Sequence, residues 1–355
     1  PLGPMGSGAR HCRAEAKARM RMMTRRGFFG TLASLSALGL GACGQQQTQS
    51  QQASSDSNGQ GLSGASPYST ETTVGEVRGD AVFGDWSRLI FPVDRDIPDD
   101  ATLADVGDYL VWYHNISADR TVEICNYLHD CAAAGEQTFI DLYTDDEKAA
   151  DPDKADTGLF LFRGDDGART AIWSAGGGFM YVGAMHDSFP HAIELSRRGY
   201  NALAIIYRPG AQTACEDLAR AIALAHEHAD EWGISMDGYL LGGGSAGARM
   251  SAWLGSYGTE SFGEDVYPRP AAVIIQYTGL SEVTGTEPPT YANVGTSDSI
   301  ANYRTMQDRI DAIQASGTPA QIEVFDGLQH GFGLGERTVA EGWLDRAVSF
   351  WEQQA

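Results

Sequence analysis

The sequence predicts an α/β fold built on a mostly parallel, eight-stranded sheet with helices on both faces. Two observations support this prediction. From residue 138 onward, short apolar runs alternate with longer segments of helical periodicity, which is the pattern of strand–helix–strand units. In addition, 42% of the 355 residues are hydrophobic, enough for one large domain or two modest ones with a sizeable core.

The predicted strands are short, and several are rich in β-branched and aromatic residues. They are expected at residues 139–143, 159–163, 170–174, 201–207, 239–241, 272–277, 291–295 and 321–325. Helices are expected at residues 187–197, 214–232, 246–257, 299–316 and 338–353. Ligands of such sheets bind at the carboxyl ends of the strands, so the residues that follow each strand are candidates for a functional site.

The chain is strongly acidic, with 25 basic residues, 47 acidic residues and a formal net charge of −22. A protein that binds nucleic acid needs a basic surface to replace the counterions of the phosphates. We therefore expect no nucleic-acid partner. The acidity favours solubility but carries no information about the fold.

The first 42 residues differ from the rest, because they hold seven basic residues and one acidic residue. The pair Arg25-Arg26 precedes an apolar stretch at 31–42 that is too short to span a bilayer. This arrangement resembles a bacterial twin-arginine export signal, which would begin at Met22 or Met23. The residues before that start would be foreign to the natural chain or belong to an over-long start.

A second signal follows at residues 40–43, Leu-Gly-Ala-Cys, which resembles a bacterial lipobox. The resemblance implies that the leader is cleaved before Cys43 and that this cysteine carries lipid. We therefore expect an exported protein held at the outer face of the cytoplasmic membrane, at the cell surface or in the periplasm, only through its lipid. Residues 43–69 are rich in Ser, Gln and Gly and are predicted to be a flexible tether.

A glycine-rich turn joins the strand predicted at 239–241 to the helix predicted at 246–257. Its sequence, GGGSAG at 242–247, contains the pattern G-x-S-x-G with Ser245 at its centre. A nucleophilic serine on a tight strand-to-helix turn needs small neighbours, because larger side chains would clash there. The following helix points its free N–H groups at developing negative charge. Ser245 is therefore the candidate nucleophile, and the alternative is a plain glycine-rich turn.

A second glycine run, at 176–178, follows the predicted strand at 170–174. With the G-x-S-x-G turn, it resembles the esterase branch of the α/β-hydrolase superfamily that is related to hormone-sensitive lipase, where this loop reads HGGGF. The resemblance implies that the amides of Gly177 and Gly178, with that of Ala246, form an oxyanion hole. The chain departs from the family at Ala175, where the family has a histidine that orders the loop. This departure affects the expected geometry of the loop and not the expected chemistry.

Two further stretches carry the same resemblance. The sequence Tyr207-Arg208-Pro209 is similar to the YRLAPE stretch of this branch, and Glu216-Asp217 is similar to its later Glu-Asp pair. The resemblance implies that these residues brace the loop at the end of the strand. It covers roughly residue 139 to the C-terminus.

The order of the α/β-hydrolase triad, Ser then acid then His, narrows the choice of partners for Ser245. His330 lies just past the strand predicted at 321–325, in a His-Gly-Phe sequence like that of the family, and is the candidate base. Asp298 follows the strand predicted at 291–295 and is the candidate acid. Two alternatives stay open: Asp298 could be only the N-cap of the next helix, and Asp326 could be the acid.

The resemblance also implies that the segment at 70–137 packs over the strand ends as a cap. This segment is rich in aromatic residues, among them Trp112 and Tyr113. These two would wall an acyl pocket together with Phe179, Met185 and His186. Alternatively, the segment flanks the edge of the sheet, and the residues after the glycine loop belong to the core.

Together these features predict a serine hydrolase that cleaves carboxylic esters with short acyl, acetyl or feruloyl groups through an acyl-enzyme. The expected partner is a small-molecule or carbohydrate ester, and no metal or organic cofactor is expected. Two other functions stay open. One is a peptidase similar to the prolyl-oligopeptidase group, and the other is a surface binding protein on a catalytically inactive hydrolase fold.

Overall fold

The structure is a computed structural model that describes residues 66–355. The leader predicted at 1–42, with its Arg25-Arg26 pair, lies outside the described residues. Cys43 and nearly all of the tether predicted at 43–69 lie outside them as well.

One sheet of eight strands forms the centre of the fold. The strands are β1 (Phe139–Ile140), β2 (Gly158–Phe162), β3 (Arg169–Ser174), β4 (Asn201–Ile206), β5 (Ser235–Gly244), β6 (Ala272–Gln276), β7 (Thr290–Gly295) and β8 (Ala320–Phe325). Their order is β1-β2-β4-β3-β5-β6-β7-β8. The pairings β1–β2 and β2–β4 are antiparallel, and all others are parallel. The predicted mostly parallel, eight-stranded sheet is confirmed.

Helices connect and flank the strands. They are α1 (Val74–Arg78), α2 (Val106–Tyr109), α3 (Ala118–Ala133), α4 (Asp145–Ala150), α5 (Ala184–Asp187), α6 (Phe189–Arg197), α7 (Ala211–Glu227), α8 (Ala229–Trp232), α9 (Ala246–Tyr257), α10 (Tyr303–Ala315) and α11 (Trp343–Glu352). Short 3₁₀ segments occur at Ala81–Leu89, Pro152–Asp156 and Thr259–Phe262. Among residues 66–355, no helix has the length and apolar character needed to cross a membrane.

Four strands of the sheet are buried along their whole length. Every residue of β2, β4, β6 and β7 is buried. Because successive side chains of a strand point to opposite faces, these strands must be covered on both faces. Helix α6 packs on β2, β3 and β4, and helix α9 packs on β3, β5 and β6. The loops at the carboxyl edge therefore follow strands that are packed between helices.

Several elements are shorter than the sequence pattern predicts. The strand predicted at 139–143 is confined to β1. Helix α10 begins at Tyr303 and not at residue 299, because Asn302 caps it by accepting the N–H of Arg304. Helix α11 begins at Trp343, directly after Gly342 with its left-handed φ of 76°. The residues around Asp298 are thus a loop, and capping of α10 falls to Asn302.

The segment before the sheet has two kinds of contact. Part of it flanks the sheet, because Trp86 stacks on Phe139 and Tyr127 stacks on Phe162. Another part reaches the carboxyl edge, where the N–H of His114 donates to the carbonyl of Gly331 at 3.0 Å. The segment therefore covers an edge of the sheet and also borders the loop that carries the candidate base.

Candidate active site

Ser245 occupies a strained turn between β5 and α9. Its φ of 51° is in the left-handed region, which is unusual for a residue with a side chain. A Cβ on Gly243 would lie 2.5 Å from the carbonyl oxygen of Ser174, and a Cβ on Gly247 would collide with the same carbonyl. The G-x-S-x-G spacing is thus required by the close approach of β3, and it presents Ser245 at the carboxyl edge of the sheet.

The structure brings Ser245, His330 and Asp298 into one hydrogen-bonded row. His330 Nε2 lies 3.0 Å from Ser245 Oγ, and His330 Nδ1 lies 2.8 Å from Asp298 Oδ2. With its proton on Nδ1, the imidazole donates to Asp298 and can accept the proton of Ser245. The side chains of His330 and Asp298 are buried, so the pair that they form is shielded from water.

Asp298 is held in place by its own loop. Its Oδ1 accepts the N–H groups of Ile300 at 2.8 Å and Ala301 at 2.7 Å, which leaves Oδ2 for the imidazole. The competing Asp326 is exposed, and its Oδ1 accepts the hydroxyl of Thr296 at 3.0 Å. Of the two predicted acids, the structure thus places only Asp298 against His330.

The glycine loop after β3 passes directly beside the nucleophile. A Cβ on Gly176 would lie 2.8 Å from the Cβ of Ser245. Gly177 and Gly178 have φ values of 130° and 65°, and their N–H groups donate to no acceptor within residues 66–355. Ala246 is the first residue of α9, so its N–H has no acceptor within that helix. Three amide donors are therefore available beside Ser245 for an oxyanion.

The glycine loop has Ala175 in place of a histidine that could order it. Other side chains fix the position of this loop. The hydroxyl of Tyr207 donates to the carbonyl of Ala175 at 2.6 Å. The next residue, Arg208, forms an ion pair with the fully buried Asp217 at 2.7 Å. Tyr143 also donates to Asp217, at 2.6 Å. The Tyr-Arg pair after β4 is thus fixed from α7 and supports the glycine loop from below.

A buried carboxylate that the sequence analysis missed lies under both glycine turns. Asp187 is fully buried and accepts the N–H of Gly176 at 2.7 Å and the hydroxyl of Tyr113 at 3.1 Å. It also accepts the hydroxyl of Tyr277. Burial raises the pKa of Asp187 to about 6, although the three hydrogen bonds oppose that rise. One sequence feature that reflects this carboxylate is Gly244. This position has no room for a side chain, because a Cβ there would collide with Asp187.

The predicted pocket residues separate into two groups. The ring of Trp112 is 41% exposed and lies against Gly178, where an added Cβ would approach it to 3.0 Å. Phe179, beside it, stacks on Trp253. Both side chains therefore lie beside the glycine loop. Tyr113 lies beneath the glycine loop, because it is buried and its hydroxyl donates to Asp187.

Met185 and His186 do not lie at the candidate nucleophile, contrary to the pocket predicted for them. Both are buried, and they line a cavity of about 20 Å³ whose lining includes none of Ser245, Asp298 and His330. The Nε2 of His186 lies 2.9 Å from the carbonyl oxygen of Gly331. Burial lowers the pKa of His186 to about 4, so this ring is neutral at pH 7. The two residues form core that supports the loop of His330.

Within the part of the chain that the structure describes, no group of three His, Cys, Asp or Glu side chains is arranged to hold a metal ion. The chemistry available at the carboxyl edge is that of an activated hydroxyl, an imidazole, a carboxylate and free amides. This set can carry out nucleophilic acyl transfer.

The comparisons with known proteins establish the fold. No protein-family model matches this sequence, and no curated protein matches it either. The structure resembles a thermophilic esterase, Est2, of the planctomycete Thermogutta terrifontis with propionate bound, with a TM-score of 0.50 and 22% identity over 56% of this chain and 89% of that one. It also resembles an acetyl ester-xyloside bifunctional hydrolase of Caldicellulosiruptor lactoaceticus, with a TM-score of 0.53 and 19% identity over 61% of this chain and 96% of that one. The chain therefore has the α/β-hydrolase fold that its motifs resemble.

Proposed function

We propose that this protein is a serine hydrolase that cleaves carboxylic esters. The observation that carries the proposal is the continuous row from Ser245 through His330 to Asp298, with distances of 3.0 and 2.8 Å. A serine in this arrangement loses its proton to the imidazole as it attacks. The free amides of Gly177 and Gly178 are the proposed donors to the negative charge that develops on the carbonyl oxygen.

The reaction proceeds in two acyl transfers. Ser245 Oγ attacks the carbonyl carbon while His330 Nε2 takes its proton, and Asp298 stabilises the imidazolium. The N–H groups of Gly177, Gly178 and Ala246 donate to the oxyanion. His330 then donates the proton to the oxygen of the leaving group. The alcohol departs, and an acyl-serine remains. Water, deprotonated by the same imidazole, hydrolyses the acyl-serine and restores the enzyme.

Short acyl esters, including acetyl esters of carbohydrates or small molecules, are the substrate class we propose. The support is the ring of Trp112, which lies close over Gly178 and limits the space in front of the loop. The two similar structures are described as an esterase with propionate and an acetyl ester-xyloside hydrolase. An ester panel of increasing acyl length, run beside peptide amides, tests this class and separates it from a peptidase.

Labelling by a fluorophosphonate probe tests the mechanism directly. The wild-type protein should be labelled, and Ser245→Ala should lose both labelling and ester hydrolysis, with turnover falling by about 10⁴-fold or more. The control is Ser299→Ala, which removes an exposed serine near the site. An unlabelled wild type that still folds would favour a binding protein on an inactive hydrolase fold. Normal hydrolysis by Ser245→Ala would remove this serine from the mechanism.

We also propose export and attachment by lipid, on the basis of the Arg25-Arg26 pair and the Leu-Gly-Ala-Cys sequence that ends at Cys43. In a bacterial host, Cys43→Ser should move the protein from the membrane fraction to the soluble fraction without a change in specific activity. Cys131→Ser is the matched control, because this cysteine lies in α3, within the fold. Membrane association that persists in Cys43→Ser would contradict the lipid anchor.

A further inference from the structure

We infer that Arg249 forms a subsite beside Ser245 for a carboxylate carried by the ester substrate. This inference rests on the proposed function and deepens it, because it names a chemical feature of the substrate.

Arg249 lies one turn along α9 from the candidate nucleophile. Its backbone N–H donates to the carbonyl of Ser245 at 3.3 Å. Residues four apart in a helix lie on the same face, about 5–6 Å apart at Cβ. Long side chains on a helix also lean toward its N-terminus. Arg249 is therefore directed back along the face of Ser245, toward the carboxyl edge of the sheet.

The contact with Gly279 places the guanidinium at that edge. A Cβ on Gly279 would lie 3.3 Å from Arg249 Nη2. Gly279 is the third residue after β6, so its loop lies on the same side of the sheet as the nucleophile. The carbonyl oxygen of Ile300, from the loop of Asp298, lies 3.9 Å from the same Cβ position. The guanidinium thus lies among α9, the loop after β6 and the loop of the candidate acid.

Within the part of the chain that the structure describes, Arg249 has no partner for its charge. Within residues 66–355, its half-buried side chain makes neither a hydrogen bond nor an ion pair. Two more deeply buried arginines differ, since Arg208 is paired with Asp217, and Arg309 donates to the carbonyl of Glu282 at 2.9 Å. Burial lowers the pKa of Arg249, and no acidic side chain among residues 66–355 opposes this shift. A desolvated cation is costly unless an anion offsets it, and a substrate anion would do so.

The chemistry of the site favours a carboxylate. A guanidinium presents a planar set of donors that matches both oxygens of a carboxylate. One guanidinium neutralises one negative charge, which fits a carboxylate better than a phosphate dianion. The net charge of −22 repels anions in general, so a local cation beside Ser245 is needed if an anionic ester is to bind there.

The test compares pairs of esters in which one member carries this carboxylate and the other has a neutral group in its place. For the acyl side, 4-nitrophenyl hydrogen succinate is paired with neutral 4-nitrophenyl butyrate, and for the alcohol side, 4-acetoxybenzoate is paired with its methyl ester. In at least one pair, Arg249→Gln should lower kcat/KM for the anionic member by about tenfold more than for the neutral member, mainly through KM. The loss in kcat/KM for the anionic ester should be smaller in Arg249→Lys than in Arg249→Gln. Lysine keeps the positive charge but lacks the planar pair of donors of a guanidinium.

Arg169→Gln is the matched control. Arg169 is also half-buried and without an ion pair in the described chain, but it is the first residue of β3, at the opposite edge of the sheet. It should leave the preference between the paired esters unchanged. Equal losses for anionic and neutral esters in Arg249→Gln would show a structural role and overturn the inference. Neutral esters would still be hydrolysed in that case, so the proposed function would stand.

Calorimetry with succinate tests the subsite without turnover. Succinate should bind the wild-type protein and Ser245→Ala, and it should fail to bind Arg249→Gln. Binding that is equal in all three variants, or absent from the wild type, would overturn the subsite. Absence of ester hydrolysis by the wild-type protein would refute the proposed function but not the subsite. The binding measurement would still test the subsite in that case.

Discussion

The Asp187 carboxylate accepts the backbone N–H of Gly176 at 2.7 Å, immediately before Gly177 and Gly178, the two glycines of the predicted oxyanion hole. The same carboxylate accepts hydroxyls from Tyr113, in the segment before the sheet, and from Tyr277, directly after β6. Three parts of the chain thus converge on one buried group. Because a buried carboxylate is stabilised only when its hydrogen bonds are made, Asp187 fixes the position of the glycine loop relative to Ser245.

The first prediction concerns this relationship. Asp187→Asn should lower kcat by about tenfold or more with a smaller change in KM, because the oxyanion donors would lose their fixed position. An amide offers one acceptor oxygen to three donors, and a backbone N–H cannot reverse its role. Steady-state kinetics and thermal melting measure the effect. Asp326→Asn, at an exposed site, is the control, and a lower melting temperature with unchanged kcat would show that Asp187 only stabilises the fold.

The second prediction separates the two candidate acids. Asp298→Asn should lower kcat by about 10⁴-fold, because an amide would favour the wrong tautomer of His330. Asp326→Asn should lower it less than about threefold, since its carboxylate contacts Thr296 and not the imidazole. The measurement is kcat for one short-chain ester in both variants. The opposite ranking would transfer the role of the acid to Asp326.

The third prediction separates Trp112 from Tyr113, which the sequence analysis treated alike. Trp112→Ala should change the preference among acyl lengths with little change in melting temperature, because the ring is 41% exposed in front of Gly178. Tyr113→Phe keeps the ring but removes a hydrogen bond to Asp187, so it should lower stability by about 1 kcal/mol without altering that preference. An ester panel and urea unfolding provide the two readouts. Unaltered acyl preference in Trp112→Ala would show that this segment does not line the pocket.

The sequence was sufficient for the features that follow from periodicity and local motifs. The alternation of strands and helices predicted the sheet, and the G-x-S-x-G turn pointed to Ser245. The order of the chain pointed to His330, and to Asp298 with Asp326 left open as the acid. It was insufficient where the decisive contacts are distant in sequence. Asp187 meets Tyr277 across 90 positions, and no local pattern marks that contact. Met185 and His186 were assigned to a pocket because they follow the glycine loop, but the chain turns into the core at α5.

The fourth prediction concerns a buried histidine outside the candidate site. His191 is fully buried, and its ring stacks on Trp173 at 4.7 Å. Burial lowers the pKa of His191 from 6.5 to about 3. As the pH falls below 6.5, the unfolded chain therefore binds a proton that the folded protein excludes. Stability present above pH 6.5 is lost progressively down to about pH 3.

His191→Phe should remove this contribution while keeping a ring against Trp173. A pH of 5 is about 1.5 units below the pKa of histidine in the unfolded chain. At that pH, His191 therefore lowers the free energy of unfolding by about 2 kcal/mol relative to pH 8. Urea unfolding at pH 8 and pH 5 should thus show a smaller loss in the variant than in the wild type, by about that amount. Part of the loss should persist, since His186 is also buried with a lowered pKa. Identical losses in the two proteins would show that His191 is protonated in the folded state and has a partner for that proton.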